Sequence, residues 1–152
     1  MRNILRRSAI LGILPFVASR TTLASSLPHL RVFKVTGCTC CDAWVSHLRE
    51  AGIWARVSER PDLAPIRRAG GVPDDLAGCH TAFADGVIVE GHVPASDVKR
   101  LLRERAKALG LAVPGMPVGS PGMDGTEYGG RKDRYEVLLV QTDGSTRTFS
   151  RY

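Results

Sequence analysis

The chain is poor in aromatic residues, at 6% of its 152 residues, and no basic stripe interleaves with them. Nucleic-acid binding therefore loses its main support, and no nucleic-acid partner is expected. Beyond the N-terminus no segment is apolar enough to cross a bilayer, which takes about 20 apolar residues. No carboxylate stands out as a catalytic acid or base; Asp and Glu read as solvated faces and helix caps. The two separated cysteine knuckles of a structural zinc site are missing too, which makes zinc the weakest of the metal readings.

The net charge says little about partners. The whole chain carries +6, but residues 1–24 hold Arg2, Arg6, Arg7 and Arg20 and no acid, so removing those four charges leaves +2. The same segment has the build of an export signal: a basic start, an apolar stretch over residues 8–18, and small residues at Thr22-Leu23-Ala24. Paired Arg6-Arg7 before the apolar stretch resembles a twin-arginine signal. We expect a signal peptide over 1–24, a periplasmic location, and no membrane span after cleavage. About 128 residues then remain, which suits one domain, placed at 29–152.

What the chain does have is crowded cysteine. Three of its four cysteines fall in Cys38-Thr39-Cys40-Cys41, and the fourth is Cys79, followed by His80. Four cysteines in an exported protein ordinarily suggest two disulfides. The spacing argues otherwise. Adjacent Cys40 and Cys41 do not readily pair, and a Cys38–Cys41 bridge, though feasible, closes only a tiny loop and stabilises little. Three thiolates within one turn of backbone repel one another unless a cation sits among them. Thiolates joined by imidazole and thioether donors favour a soft metal, with copper(I) foremost.

The periodicity places these donors. A strand is expected at 30–35, a helix from Asp42 to about 51 with Trp44, Val45 and Leu48 on its apolar side, and a second strand at 53–57. A short helix follows at 62–69. Strands at 81–84 and 87–90 flank Asp85-Gly86, a hairpin signal. A helix is expected over 96–109, with Val98, Leu101, Leu102 and Arg105 at helical spacing. A Gly- and Pro-rich loop then runs over 111–130, and a final hairpin spans 135–142 and 145–152. The fold class is α/β: a thioredoxin-like core (βαβαββα) with an additional C-terminal β-hairpin.

In such a core the cysteine cluster lies at the carboxyl end of the first strand. The antiparallel third strand starts at that edge with Cys79-His80, and the fourth ends there at Gly91-His92. The expected metal ligands are Cys38, Cys40, Cys41, Cys79, His80 and His92, with Met116 and Met123 from the Gly/Pro loop. His80 carries a condition. In a regular strand, residues 79 and 80 face opposite ways, so both reach one metal only from an irregular or pre-strand conformation. His47, near Trp44, reads as a packing residue rather than a ligand.

Several blocks, in order, resemble one family. They are Cys38-Thr39-Cys40-Cys41 with Trp44 and His47-Leu48, then Cys79-His80-Thr81-Ala82, Glu90-Gly91-His92-Val93-Pro94, 110–117 and Gly119-Ser120-Pro121-Gly122-Met123. The family is the thioredoxin-like periplasmic copper-resistance proteins of the CopG type, formerly a domain of unknown function. The resemblance implies a cysteine-rich, polynuclear and thiolate-bridged copper site serving copper tolerance. Its partners would be copper ions and a periplasmic copper efflux or oxidase protein. Two departures stand out: Thr39 replaces a common glycine, and 124–128 looks like an insertion. The first reading is thus a copper-binding protein rather than an enzyme. The second is a thiol–disulfide oxidoreductase using Cys38 and Cys41, to which the extra Cys40 would offer a competing resolving thiol.

Overall fold

The computed structural model describes residues 28–104 and 107–152, so the expected signal segment at 1–24 and Arg105 lie outside the described residues. The elements are β1 (Leu30–Val35), α1 (Thr39–Glu50), β2 (Ala55–Arg60), α2 (Ala64–Ala69), β3 (His80–Ala84), β4 (Val87–Gly91), α3 (Ala95–Glu104), β5 (Gly110–Val113), β6 (Glu136–Val140) and β7 (Thr146–Arg151). Single 3-10 turns sit at Asp74–Leu76 and Thr126–Tyr128. The chain is a mixed α/β protein with one seven-stranded sheet in the order β2-β1-β3-β4-β5-β6-β7.

Strand alternation divides the core between the two faces of the sheet. On one face, Leu30, Val32, Ala82, Val89, Leu111, Val113 and Val137 pack against Trp44, Val45 and Leu48 of α1 and Val98 and Leu101 of α3. On the other, Phe83, Ile88, Ala112, Leu138 and Val140 are covered by Val72, Leu76 and Leu109. The expected order of elements from β1 to α3 is present, as is the final hairpin.

Four expectations need correction. β5 occupies residues that read as loop. It is four residues long and buried throughout, so it shows no alternation, and Pro114-Gly115 directly follow it. It joins β4 in parallel and β6 antiparallel, making the sheet larger than foreseen. The third helix is Ala95–Glu104, and 107–109, expected as its last turn, are bends that lead into β5. β2 runs later than its alternation suggested, because pairing with β1 sets its register from Leu30↔Ala55 to Val35↔Arg60. Helix α1 starts at Thr39, with Cys38 at its N-cap, which puts Cys40 and Cys41 inside its first turn.

Pairing also explains why distant segments meet. β3 runs antiparallel to β1 with Lys34 opposite His80, so the start of β3 lies beside the end of β1. β4 returns with Glu90 opposite Thr81, which carries Gly91 and His92 to the same edge.

Candidate metal centre

Six of the eight expected ligands fall into two overlapping groups. The sulfurs of Cys38, Cys40, Cys41 and Cys79 all lie within 4.8 Å of one another, and so do donor atoms of Cys79, His80 and His92. Cys79 belongs to both groups. Cys38 and Cys41 are joined as a disulfide, and Cys40 and Cys79 are free. The Cys40 sulfur is 3.4 Å from that of Cys38 and 3.9 Å from that of Cys79. Cys79 Sγ stands 3.3 Å from Cys41 Sγ.

The condition on His80 is met locally. Cys79 sits in a bend just before β3, not within it. His80 Nδ1 can therefore lie 3.5 Å from Cys79 Sγ. On the ring's other side Nε2 donates to the Gly91 carbonyl at 2.9 Å. A carbonyl only accepts, so this bond assigns the proton to Nε2 and leaves Nδ1 bare toward the sulfur. His92 does the same with its nitrogens exchanged. Nδ1 donates to the Pro121 carbonyl at 2.8 Å, and bare Nε2 lies 3.3 Å from Cys79 Sγ. Imidazoles whose far N–H is tied to a backbone carbonyl are the usual outer support of metal-ligating histidine.

Electrostatics favour the same protonation states. Burial, with His92 close by, pushes the His80 pKa down to about 3, and burial also lowers that of His92. Both rings are thus neutral, as ligands must be. Burial, reinforced by Cys40, pushes the Cys79 thiol up to about 12. Without a cation, then, this sulfur keeps its proton, which is what crowding of thiols predicts.

The surrounding scaffold holds the donors in place. Trp44 is fully buried, donates from Nε1 to the Val93 carbonyl at 2.8 Å, and packs its ring 4.1 Å from that of His80. Lys34 continues the inward phase of Leu30 and Val32. Its ammonium reaches Asp42 Oδ1 at 2.8 Å, Glu59 Oε1 at 3.0 Å and the Cys38 carbonyl at 3.3 Å. His47 is a packing residue, as expected: its Nε2 accepts the Ala95 N–H at 3.0 Å, at the start of α3.

Met116 and Met123 lie on the connection between β5 and β6. Met116 is exposed, with φ +48°, and Met123 Sδ accepts the Tyr128 hydroxyl at 3.4 Å. This connection runs close over α1: a Cβ added at Gly122 would come 2.6 Å from the Cys40 carbonyl oxygen. Sequence reasoning missed Lys34, Glu90, Arg67 and Tyr128 as neighbours of the site, and the reading of the carboxylates as solvated faces and helix caps fails for Glu90. Glu90 is fully buried and Asp97 nearly so. A readable signal existed for two of these residues, a lysine in the inward phase of β1 and an acid within the apolar run of β4.

Comparison with known proteins agrees with this chemistry. Residues 76–123 match the family described as "Protein of unknown function, DUF411". No curated protein matches. Two solved structures of a copper resistance protein, CopG in its Form 1 and its Form 2, are each 40% identical to this chain. Each alignment covers 83% of this chain and 98% of the solved one, with a TM-score of 0.77. At that identity over nearly the whole of those proteins, the chain belongs to the family of the copper resistance protein CopG.

Proposed function

We propose that this is an exported, periplasmic copper-binding protein of copper resistance, with copper as its cargo. Its core from β1 to α3 reads as thioredoxin-like, and the cysteine site sits where that architecture carries reactive thiols. The observation that carries the proposal is the sharing of Cys79 between a four-sulfur group and a two-imidazole group. Thiolate and imidazole suit copper(I), and closely spaced thiolates can bridge more than one ion, so the site holds a polynuclear cluster. Cys38, Cys40, Cys41 and Cys79 supply the sulfurs. His80 Nδ1 and His92 Nε2 complete the shell, with Met116 and Met123 as thioether donors from the loop above. The protein buffers copper or passes it to a periplasmic efflux or oxidase partner.

One observation favours a second reading. Cys38 and Cys41 are paired, and the free thiol of Cys79 lies 3.3 Å from the sulfur of Cys41. That arrangement suits a thiol–disulfide oxidoreductase using Cys38 and Cys41.

The deciding experiment is metal content and thiol state of the mature protein, purified anaerobically and loaded with equal copper and zinc. Copper retained at one or more equivalents with protected thiols supports the cluster. Little metal, with a readily reduced Cys38–Cys41 bond, moves the assignment to the oxidoreductase.

A further inference from the structure

Glu90 is fully buried on β4, an expensive place for a carboxyl group. Its neighbours explain the placement only in part. Oε1 accepts the Gly78 N–H at 2.7 Å and lies 3.9 Å from Arg67 Nη1. That same Arg67 nitrogen donates to the Gly78 carbonyl at 3.1 Å. Both polar groups of one glycine are thus held, one by an acid from β4 and the other by a base from α2. The glycine they hold immediately precedes Cys79.

Space at this point is tight. A Cβ added to Gly78 would lie 3.0 Å from the Gly91 Cα and 3.2 Å from its nitrogen. Gly91 in turn gives its carbonyl to His80 and immediately precedes His92. The grip on Gly78 therefore fixes the Cys79 segment against the segment that carries both imidazole contacts. Apart from it, Cys79 lies in the bend before β3 with its carbonyl accepting the Val35 N–H of β1 at 3.2 Å, which anchors the far side of the residue but leaves the Gly78 side to the clamp.

We propose that Glu90 and Arg67 are positioning residues for Cys79: by clamping Gly78 they hold the Cys79 sulfur where it can join the α1 cysteines and the two histidines. This rests on the reading that Cys79 is a copper ligand, but the clamp itself is a statement about sulfur placement and can be read without metal. An acceptor for the Gly78 N–H is the essential part. Glutamine supplies one, and its amide also offers a donor on the side where Glu90 Oε2 and Thr81 Oγ1 are buried without hydrogen-bond partners. Leucine fills the space and supplies neither.

The test compares Glu90→Gln, Glu90→Leu and Arg67→Met, each confirmed as folded by near-ultraviolet circular dichroism. The first arm is metal-free. In a protein keeping only Cys41 and Cys79 (Cys38→Ser, Cys40→Ser), diamide oxidises the two thiols to a disulfide and is itself reduced to the hydrazine by their two electrons and two protons. We expect Cys41–Cys79 bond formation to slow by about tenfold or more in Glu90→Leu, to slow measurably in Arg67→Met, and to hold its rate in Glu90→Gln. The second arm titrates copper(I) into the four-cysteine protein. Glu90→Leu should lose about 10- to 100-fold in affinity, as removal of an outer support does, and Glu90→Gln should restore it. Should Glu90→Leu misfold, Arg67→Met, altered at a partly exposed side chain, carries both arms. Equal cross-linking rates in all folded variants overturn the clamp. Altered cross-linking with no copper bound by the unsubstituted protein leaves the clamp standing and refutes the copper reading instead.

Discussion

Cys41 and Cys79 bring their sulfurs to 3.3 Å although they stand 38 positions apart in the chain. One is held by the first turn of a helix and the other by a bend at the start of a strand, so neither segment alone makes a site. The contact also joins the sulfur-rich group to the imidazole group, because Cys79 is the one residue common to both.

Replacing Cys79 should therefore cost more than replacing Cys40. Cys79→Ser breaks both groups and should weaken copper(I) binding by more than the roughly 10- to 100-fold that loss of an outer support costs. Cys40→Ser leaves the pairing of Cys79 with His80 and His92 intact and should lower stoichiometry more than affinity. Competition with a copper(I) chelator of known affinity, run on both variants, checks the ranking. Equal losses would mean that the two groups do not share an ion through Cys79.

Oxidation should reduce copper capacity. The Cys38–Cys41 bond occupies two of four sulfurs and leaves Cys40 and Cys79 as the only thiols. Protein loaded while oxidised should hold less copper than the same sample loaded after reduction and removal of the reductant. Metal analysis of the two samples side by side makes the comparison. Identical capacity would place the copper away from this pair.

The pH dependence has a definite sign. The Cys79 thiol, pushed up to about 12 by burial and Cys40, is protonated at neutral pH, so binding as thiolate releases a proton. His80, pushed down to about 3 by burial, is already neutral there and releases none. Affinity should then rise with pH across the neutral range, by about tenfold in Kd per pH unit for each proton released. Titrations at several pH values, with proton release followed in weak buffer, check both slope and count. A flat profile would exclude thiolate binding by Cys79.

Much of the site was legible because its donors are chemically conspicuous and topology brings them together. Cys38-Thr39-Cys40-Cys41 after a strand, and Cys79-His80 before the next antiparallel strand, fix a shared edge once the order of elements is known. The outer support was legible only as the odd placement of Lys34 in the inward phase of β1 and of Glu90 within the apolar run of β4, not in what those residues hold. Lys34 and Glu90 are ordinary charged residues whose burial depends on which strand face they occupy and on partners at Asp42, Glu59 and Gly78. The carbonyls of Gly91 and Pro121, which set the imidazole protons, carry no signal in side-chain identity at all. β5 escaped for a related reason: burial of both its faces erased the alternation that reveals a strand.

The C-terminal hairpin should matter to stability and not to copper. Asp97 on α3 is nearly buried and accepts hydrogen bonds from Ser150 Oγ at 2.7 Å and the Tyr152 hydroxyl at 2.9 Å, with Arg100 3.5 Å away. Tyr152 in turn stacks on Tyr135, their ring centroids 5.1 Å apart. These bonds tie β7 and the chain end to the helix, at a distance in sequence from every sulfur of the site. Asp97→Ala removes two hydrogen bonds to a charged acceptor and should cost about 2 kcal/mol, lowering Tm by on the order of 5–10 °C. Copper stoichiometry and affinity should stay unchanged below the new transition. Thermal melts and copper titrations on one preparation separate the two effects. A fall in affinity without a fall in Tm would mean that the hairpin reaches the metal centre and helps to close it.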